Sequence, residues 1–228
     1  VDEAYERSKT DILLGHIFFP FKSPEPASIA AARLIADKAM TALKKGTPFE
    51  QVANQYNANS QPSNGVAGWI SAFVLPYRFE TAVYNARPNG LSSLQQGSDG
   101  FHLFKKLKER PALGSIHIAQ ILLWLPQDAD AQTVKAQQHL ADSLHELIVQ
   151  GADFAQLALL HSNDRTSYAS GGVLPAIGVG QYEPAFETAA FAVSPNKPYS
   201  PPIRTSYGIH LLKFISYPPA KADDIDEK

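Results

Sequence analysis

The second half of this sequence repeats the first at low fidelity, and a chain that repeats folds as copies of one unit. An apolar, β-prone run, Ile12-Leu13-Leu14-Gly15-His16-Ile17-Phe18-Phe19-Pro20, has its counterpart in Ile116-His117-Ile118-Ala119-Gln120-Ile121-Leu122-Leu123-Trp124. After each run the spacing predicts an amphipathic helix. The first covers residues 27–44, with Leu34, Ile35, Ala39 and Leu43 on its stripe; the second covers 131–150, with Val134, Ala141, Leu144 and Ile148. Both helices reach a glycine placed for a left-handed C-terminal cap, in Gly46-Thr47-Pro48-Phe49 and Gly151-Ala152-Asp153-Phe154. Further on, Arg78-Phe79-Glu80-Thr81-Ala82 answers Ala185-Phe186-Glu187-Thr188-Ala189, and Asp99-Gly100-Phe101-His102-Leu103 answers Tyr207-Gly208-Ile209-His210-Leu211. From the glycine caps onward these landmarks stay 105 to 108 residues apart. Two copies at a period of ~100 residues mean tandem domains, since solenoid repeats run ~20–50 residues.

The expected division is a helical lead-in over residues 1–10, a first domain over 11–110, a second over 111–217, and a flexible Pro- and Asp-rich tail over 218–228. Lys108-Glu109-Arg110-Pro111 reads as the joint between the copies. Charge divides the same way: residues 1–110 carry 13 Lys/Arg against 10 Asp/Glu, and residues 111–228 carry 7 against 12. The hydrophobic fraction of 44% and charged fraction of 18% suit packed units and exclude a disordered chain. A net charge of −2 supplies no basic field, so nucleic acid is not an expected partner. No apolar run approaches the ~18 residues that cross a bilayer. The start at Val1, with neither Met nor an apolar signal core, reads as an internal or processed piece whose targeting segment lies elsewhere.

With no cysteine, a disulfide framework, a thiolate metal site and a cysteine nucleophile are excluded together. His139, His145 and His161 are spread over helical or loop stretches without His-x-x-x-His or His-Glu-x-x-His spacing, so no metal site is expected. The nucleophile elbow, the phosphate loop and the dinucleotide fingerprint are all missing; Gly178-Val179-Gly180 is a loop signal. No cofactor is expected.

At these landmarks the pattern resembles the parvulin-type peptidyl-prolyl cis–trans isomerases, met twice between about Ile12 and Tyr217. The family pattern opens with a strand ending His-Ile-Leu, then a helix and Gly-x-x-Phe, Ser-x-Asp or a Cys equivalent, Gly-Gly-Asp-Leu-Gly, a Phe-Glu segment, and a closing Thr-x-Phe-Gly-Tyr-His. The resemblance implies an α+β chain of two tandem parvulin-like domains, each a small, mostly antiparallel sheet surrounded by helices. Tandem domains of this kind also resemble the SurA-type periplasmic chaperone-isomerases, which implies a periplasmic or cell-envelope location.

In that family the site joins an apolar pocket for the proline ring to a polar wall of paired histidines with Cys/Asp and Thr. Carried over, the first copy has both histidines, His16 and His102, with Leu75 and Phe79 at the pocket positions and Asn59 near the Cys/Asp position. Its Thr and aromatic slots fall on Gly97 and Asp99. The second copy keeps Asp164 in Ser162-Asn163-Asp164, the double glycine Gly171-Gly172, pocket residues Tyr182 and Phe186, and Thr205, Tyr207 and His210. Its first histidine position holds Gln120, which hydrogen-bonds but cannot titrate. His117 lies three residues away, on the opposite strand face. Read alone, strand-end histidines are buried and hydrogen-bonded, and Leu75, Phe79, Tyr182 and Phe186 serve a core as well as a pocket. Asp164 has the composition of a turn or cap as well as of a ligand-facing group.

The implied activity is prolyl isomerisation of unfolded or exported, proline-containing polypeptide, by non-covalent stabilisation of the twisted amide, with the second copy as the better-equipped seat. Neither copy holds the full set, which leaves open a non-catalytic peptide-binding module with degenerate sites.

Overall fold

The run Ile12–Pro20 is apolar at nearly every position, and such a run needs cover on both faces. In the computed structural model it lies within strand β1 (Thr10–Pro20), and its two faces enter different cores. Ile12 and Leu14 pack with Ile70, Val83 and Phe104, whereas Ile17 and Phe19 pack with Ala32, Ala36, Phe49 and Leu103. The structure describes residues 2–57 and 64–218 and divides into two compact units between Ala112 and Leu113.

The first unit runs α1 (Asp2–Ser8), β1, α2 (Pro26–Lys44), α3 (Phe49–Tyr56), β2 (Val66–Ile70), α4 (Tyr77–Tyr84), β3 (Gln95–Gln96) and β4 (Gly100–Pro111). The second repeats this order without the lead-in helix. It comprises β5 (Ser115–Trp124), α5 (Ala131–Val149), α6 (Phe154–His161), a 3-10 turn (Tyr168–Ser170), β6 (Ile177–Gly178), α7 (Pro184–Ala190), β7 (Ile203–Arg204) and β8 (Gly208–Ser216). Each unit has one antiparallel four-stranded sheet, in the orders β2-β1-β4-β3 and β6-β5-β8-β7. The opening and closing strands are therefore central neighbours in both units: Phe18 faces His102, and Leu122 faces His210. A register shift recurs at the same place in each pair, between Leu13 and Leu14 and between His117 and Ile118.

Three local expectations meet a different outcome or limit. The buried stripe of α2 is Ala32, Ala36 and Ala39, while Leu34 and Ile35 are 65% and 43% exposed. At 100° per residue, positions 32, 36, 39 and 43 share a narrow arc, and alanines there let the helix lie close to the sheet; Leu34 and Ile35 fall off it. In α5 the expected Ala141, Leu144 and Ile148 are buried, and Val134 is half-buried. Lys108–Pro111, read as the joint, continues β4 and pairs with Thr10–Leu13. The expected tail lies, apart from Pro218, outside the described residues.

Both predicted glycine caps form. Gly46 and Gly151 take φ of +95° and +100°, and the bonds Thr47 N–H to Ala42 O and Ala152 N–H to Leu147 O close the last turn of α2 and α5 identically.

Candidate functional site

In the second unit Gln120 and His210 project from neighbouring strands on the face that α7 covers, and Phe186 on α7 packs against His210 with ring centroids 5.1 Å apart. Tyr182, on the segment before α7, stacks on Phe186 at 4.8 Å. The outer edge of β5 is held by backbone and loop. Gln120 N–H donates to Gly172 O at 2.8 Å, Asn163 N–H to Leu122 O at 2.7 Å, and Leu122 N–H to Ser162 Oγ at 3.1 Å. Gly172 has φ of +79°, and a Cβ on it would lie 2.2 Å from Gln120 O, so the double glycine serves a close approach that only glycine permits.

The loop so held delivers Asp164 to the wall. Its Oδ1 accepts from Thr166 N–H at 3.0 Å and Thr166 Oγ1 at 2.7 Å; its Oδ2 accepts from Ser167 Oγ and, at 2.8 Å, from Gln120 Nε2. Asp164 is thus both a turn residue and part of the cavity wall. Burial alone would raise its pKa, but the bonds from Ser167, Thr166 and Gln120 outweigh that and hold it below the usual carboxylate value. The Gln120 amide continues to His210 Nδ1 at 3.0 Å, and His210 Nε2 lies 2.8 Å from Thr205 Oγ1. Burial drives the His210 pKa down to about 4, against the weaker pull of Glu183 and Asp164, so the ring is neutral at physiological pH. Burial, and then the charge on Asp164, raises the Tyr182 phenol.

Gln120, Asp164, Tyr182, Phe186, Thr205, Tyr207 and His210, all named from sequence, line one cavity of about 410 Å³. Leu122, Gln181 and Glu183 complete it and were not anticipated. Glu183 accepts from Ser206 N–H at 3.1 Å and from the Ser206 hydroxyl, tying the cavity rim to the loop before β8. His117 has the strand parity of Ala119 and is not among the residues that line the cavity.

The first unit gathers its residues differently. His16 Nε2 and His102 Nδ1 lie 3.0 Å apart, and the rings stack at 5.2 Å. Phe18 and Phe79 close on His102 at 4.9 and 4.8 Å, and Phe104 on His16 at 5.0 Å. Leu75 packs with Phe79 on the cluster of Ile12, Leu14, Ile70, Val83 and Phe104. Burial, then His102, lowers the His16 pKa to about 4, with Asp99 opposing. The Thr slot is empty of any hydroxyl: a Cβ on Gly97 would sit 2.6 Å from His102 Nε2, which instead meets Asp99 Oδ1 at 3.3 Å. Asn59 lies outside the described residues.

Three further side chains have structural roles that the sequence did not reveal. Asn57, buried at the end of α3, accepts from Phe18 N–H at 3.0 Å and donates to His16 O at 2.8 Å, clipping the strand that carries His16. The buried Glu80 and Glu187 each accept a backbone N–H at 2.6 Å, from Phe73 and Gly180, and so tie down the segment before α4 and α7. The Phe-Glu pair recurring in both copies was the available signal for the latter.

Among the described residues no group of three His, Asp or Glu side chains is placed to hold a metal ion, and no helix is long and apolar enough to cross a membrane. Comparison with known proteins adds an independent line. The description of the PPIC-type PPIASE domain matches residues 101–216 and a second time residues 16–108. Chaperone SurA of Methylobacillus flagellatus is 30% identical over 203 residues, covering 85% of this chain and 45% of the relative. Chaperone SurA of Burkholderia lata is 31% identical over 219 residues, covering 90% and 47%. The chain thus spans about half the length of these curated relatives. The solved PrsA peptidylprolyl isomerase of Bacillus cereus is 27% identical over 47% of this chain and 37% of its own, with a TM-score of 0.40, too low to carry weight. With two matches in tandem, one of them over half the chain, the protein belongs to the PPIC-type peptidyl-prolyl cis–trans isomerase family, the parvulins.

Proposed function

We propose that the second unit is a prolyl isomerase site acting on unfolded, proline-containing polypeptide, and that the chain serves as a folding factor of the cell envelope. The observation that carries this reading is the single cavity of about 410 Å³ in which the aromatic floor of Phe186 and Tyr182 meets the wall of Gln120, His210, Thr205 and Asp164. Rotation about an X–Pro amide faces a barrier of about 18–20 kcal/mol and takes tens to hundreds of seconds unaided. No bond is made or broken, so a catalyst needs only to bind the twisted amide better than either planar form, and each ~1.4 kcal/mol of preference is a factor of ten. The aromatic floor grips the pyrrolidine ring and leaves the rest of the chain free to turn. A wall of fixed dipoles costs no reorganisation as the amide twists beside it. The neutral His210 supports this role, since the reaction requires no proton transfer.

The first unit supports a different use. With Gly97 at the hydroxyl position and its histidines packed among Phe18, Phe79 and Phe104, it favours binding of extended apolar segments without turnover. The envelope location draws on the resemblance to tandem SurA-type chaperones and on the covered relatives of that name.

The test is exchange spectroscopy on an Ala-Pro peptide in the presence of the whole chain. Accelerated cis–trans exchange is expected, with His210→Ala combined with Phe186→Ala abolishing it. Binding without acceleration would reduce both units to chaperone modules, and loss of both would sink the reading.

A further inference from the structure

We propose that the two closing histidines are held in opposite tautomers, His210 with its proton on Nδ1 and His102 with its proton on Nε2, and that Gln120 is the positioning residue that fixes the first. In the second unit every hydrogen-bond direction follows from one group. The Asp164 carboxylate only accepts, so the Gln120 amide atom 2.8 Å from its Oδ2 is the nitrogen. The other end of that amide is the carbonyl oxygen, which also only accepts, and it lies 3.0 Å from His210 Nδ1. Nδ1 therefore carries the proton. Nε2 is left as the acceptor, and the Thr205 hydroxyl 2.8 Å away donates to it while accepting the Tyr207 N–H at 3.1 Å.

The first unit runs the other way. His102 Nε2 faces the Asp99 carboxylate at 3.3 Å and so donates; its Nδ1, 3.0 Å from His16 Nε2, accepts. A pair of imidazoles is symmetric and takes its polarity from whichever carboxylate lies at one end. A glutamine amide is not symmetric. Through Gln120 the tautomer of His210 is set by Asp164, 44 residues along the chain. Resting on the isomerase reading of this cavity, the consequence is that Thr205 has no proton to give a substrate carbonyl. The wall acts there as an acceptor, and both nitrogens of His210 are already used.

The tautomers are read directly by long-range 15N–1H correlation of the histidine rings in the whole chain at neutral pH, where protonated and bare ring nitrogens resonate far apart. His210 is expected to show protonated Nδ1 and His102 protonated Nε2 in one spectrum. In Asp164→Asn the amide at position 120 is free to turn round, and His210 is expected to show both forms while His102 is unchanged. Gln120→His with Asp164 intact, which can donate to Asp164 and accept from His210, is expected to keep the single Nδ1–H form. The same tautomer at both sites in the unsubstituted protein, or a His210 spectrum that ignores Asp164→Asn, overturns the proposal. Turnover on the same samples is expected to fall about tenfold in Gln120→Leu and to recover in Gln120→His. Absence of turnover in the unsubstituted protein would defeat the isomerase reading while the spectra still decided the tautomers.

Discussion

His16 and His210 are imidazoles folded in their neutral form, with pKa values near 4 against 6.5 for the free group, and burial is the main cause for both. Between those values the unfolded chain binds protons that the native chain refuses, so stability rises with pH across the window. Their contribution is complete above pH 6.5, is lost progressively as the pH falls, and is exhausted below about 4. The expected slope approaches about 1.4 kcal/mol per pH unit for each histidine in the middle of the window. Urea midpoints at several pH values between 7 and 4.5 measure it, and a flat profile would show that neither ring is buried neutral. Gly172 supplies a second residue-scale test. Adding one methyl in Gly172→Ala forces a contact with Gln120 O and strains a backbone at φ of +79°. A loss of about 2 kcal/mol or more is expected in thermal unfolding, while Gly178→Ala, whose added carbon meets nothing nearer than 3.5 Å, is expected to be harmless. The identities of these residues were legible because each occupies a fixed slot in a repeated pattern. Their partners were not: nothing local announces that the amide of Gln120 reaches the carboxylate of Asp164, or that Asn57 clips the backbone on either side of Ile17.

At the scale of elements, α4 and α7 each carry a buried glutamate that holds the preceding segment by one backbone N–H. In the second unit that segment presents Gln181, Tyr182 and Glu183 to the cavity. Glu187→Ala is expected to cost about 1.5–3 kcal/mol, the worth of a hydrogen bond to a buried charged group, and to speed hydrogen exchange at the Gly180 amide. Unchanged exchange there would mean that the segment is held by something else. Helix α2 makes the complementary point about packing. Its alanine face lies against Ile17, Phe19, Phe101 and Leu103, leaving no volume to spare. Ala36→Leu is expected to destabilise by about 1–3 kcal/mol through overpacking, and Leu34→Ala to change stability by less than about 0.5 kcal/mol. Reversed magnitudes would return the buried face to the larger side chains. Sequence reading put those larger side chains inside because transfer free energy scales with apolar area; the structure chose alanines because distance between helix and sheet sets which side chains fit.

At the scale of the whole molecule, each unit closes its own sheet and encloses two apolar clusters, one on either face. Residues 1–112 and 113–218, expressed separately, are each expected to give a cooperative thermal transition and a dispersed amide spectrum. A fragment that stays unfolded would show that the units depend on one another. Much of this organisation was written along the chain. The repeat fixed the number of units because copies of one pattern fold alike, while the continuous apolar runs fixed strands buried on both faces and the glycines fixed where the first helices stop because these depend on neighbours within a few residues. What the chain alone left open was decided by atoms brought together from far apart in sequence. Only when β5 lies beside β8 does Gln120 span from Asp164 to His210, and only when Gly97 lands against His102 does the missing hydroxyl distinguish one unit from the other. Periodicity selects elements, but the meeting of particular donors and acceptors across the central strands of a sheet is a property of the folded core.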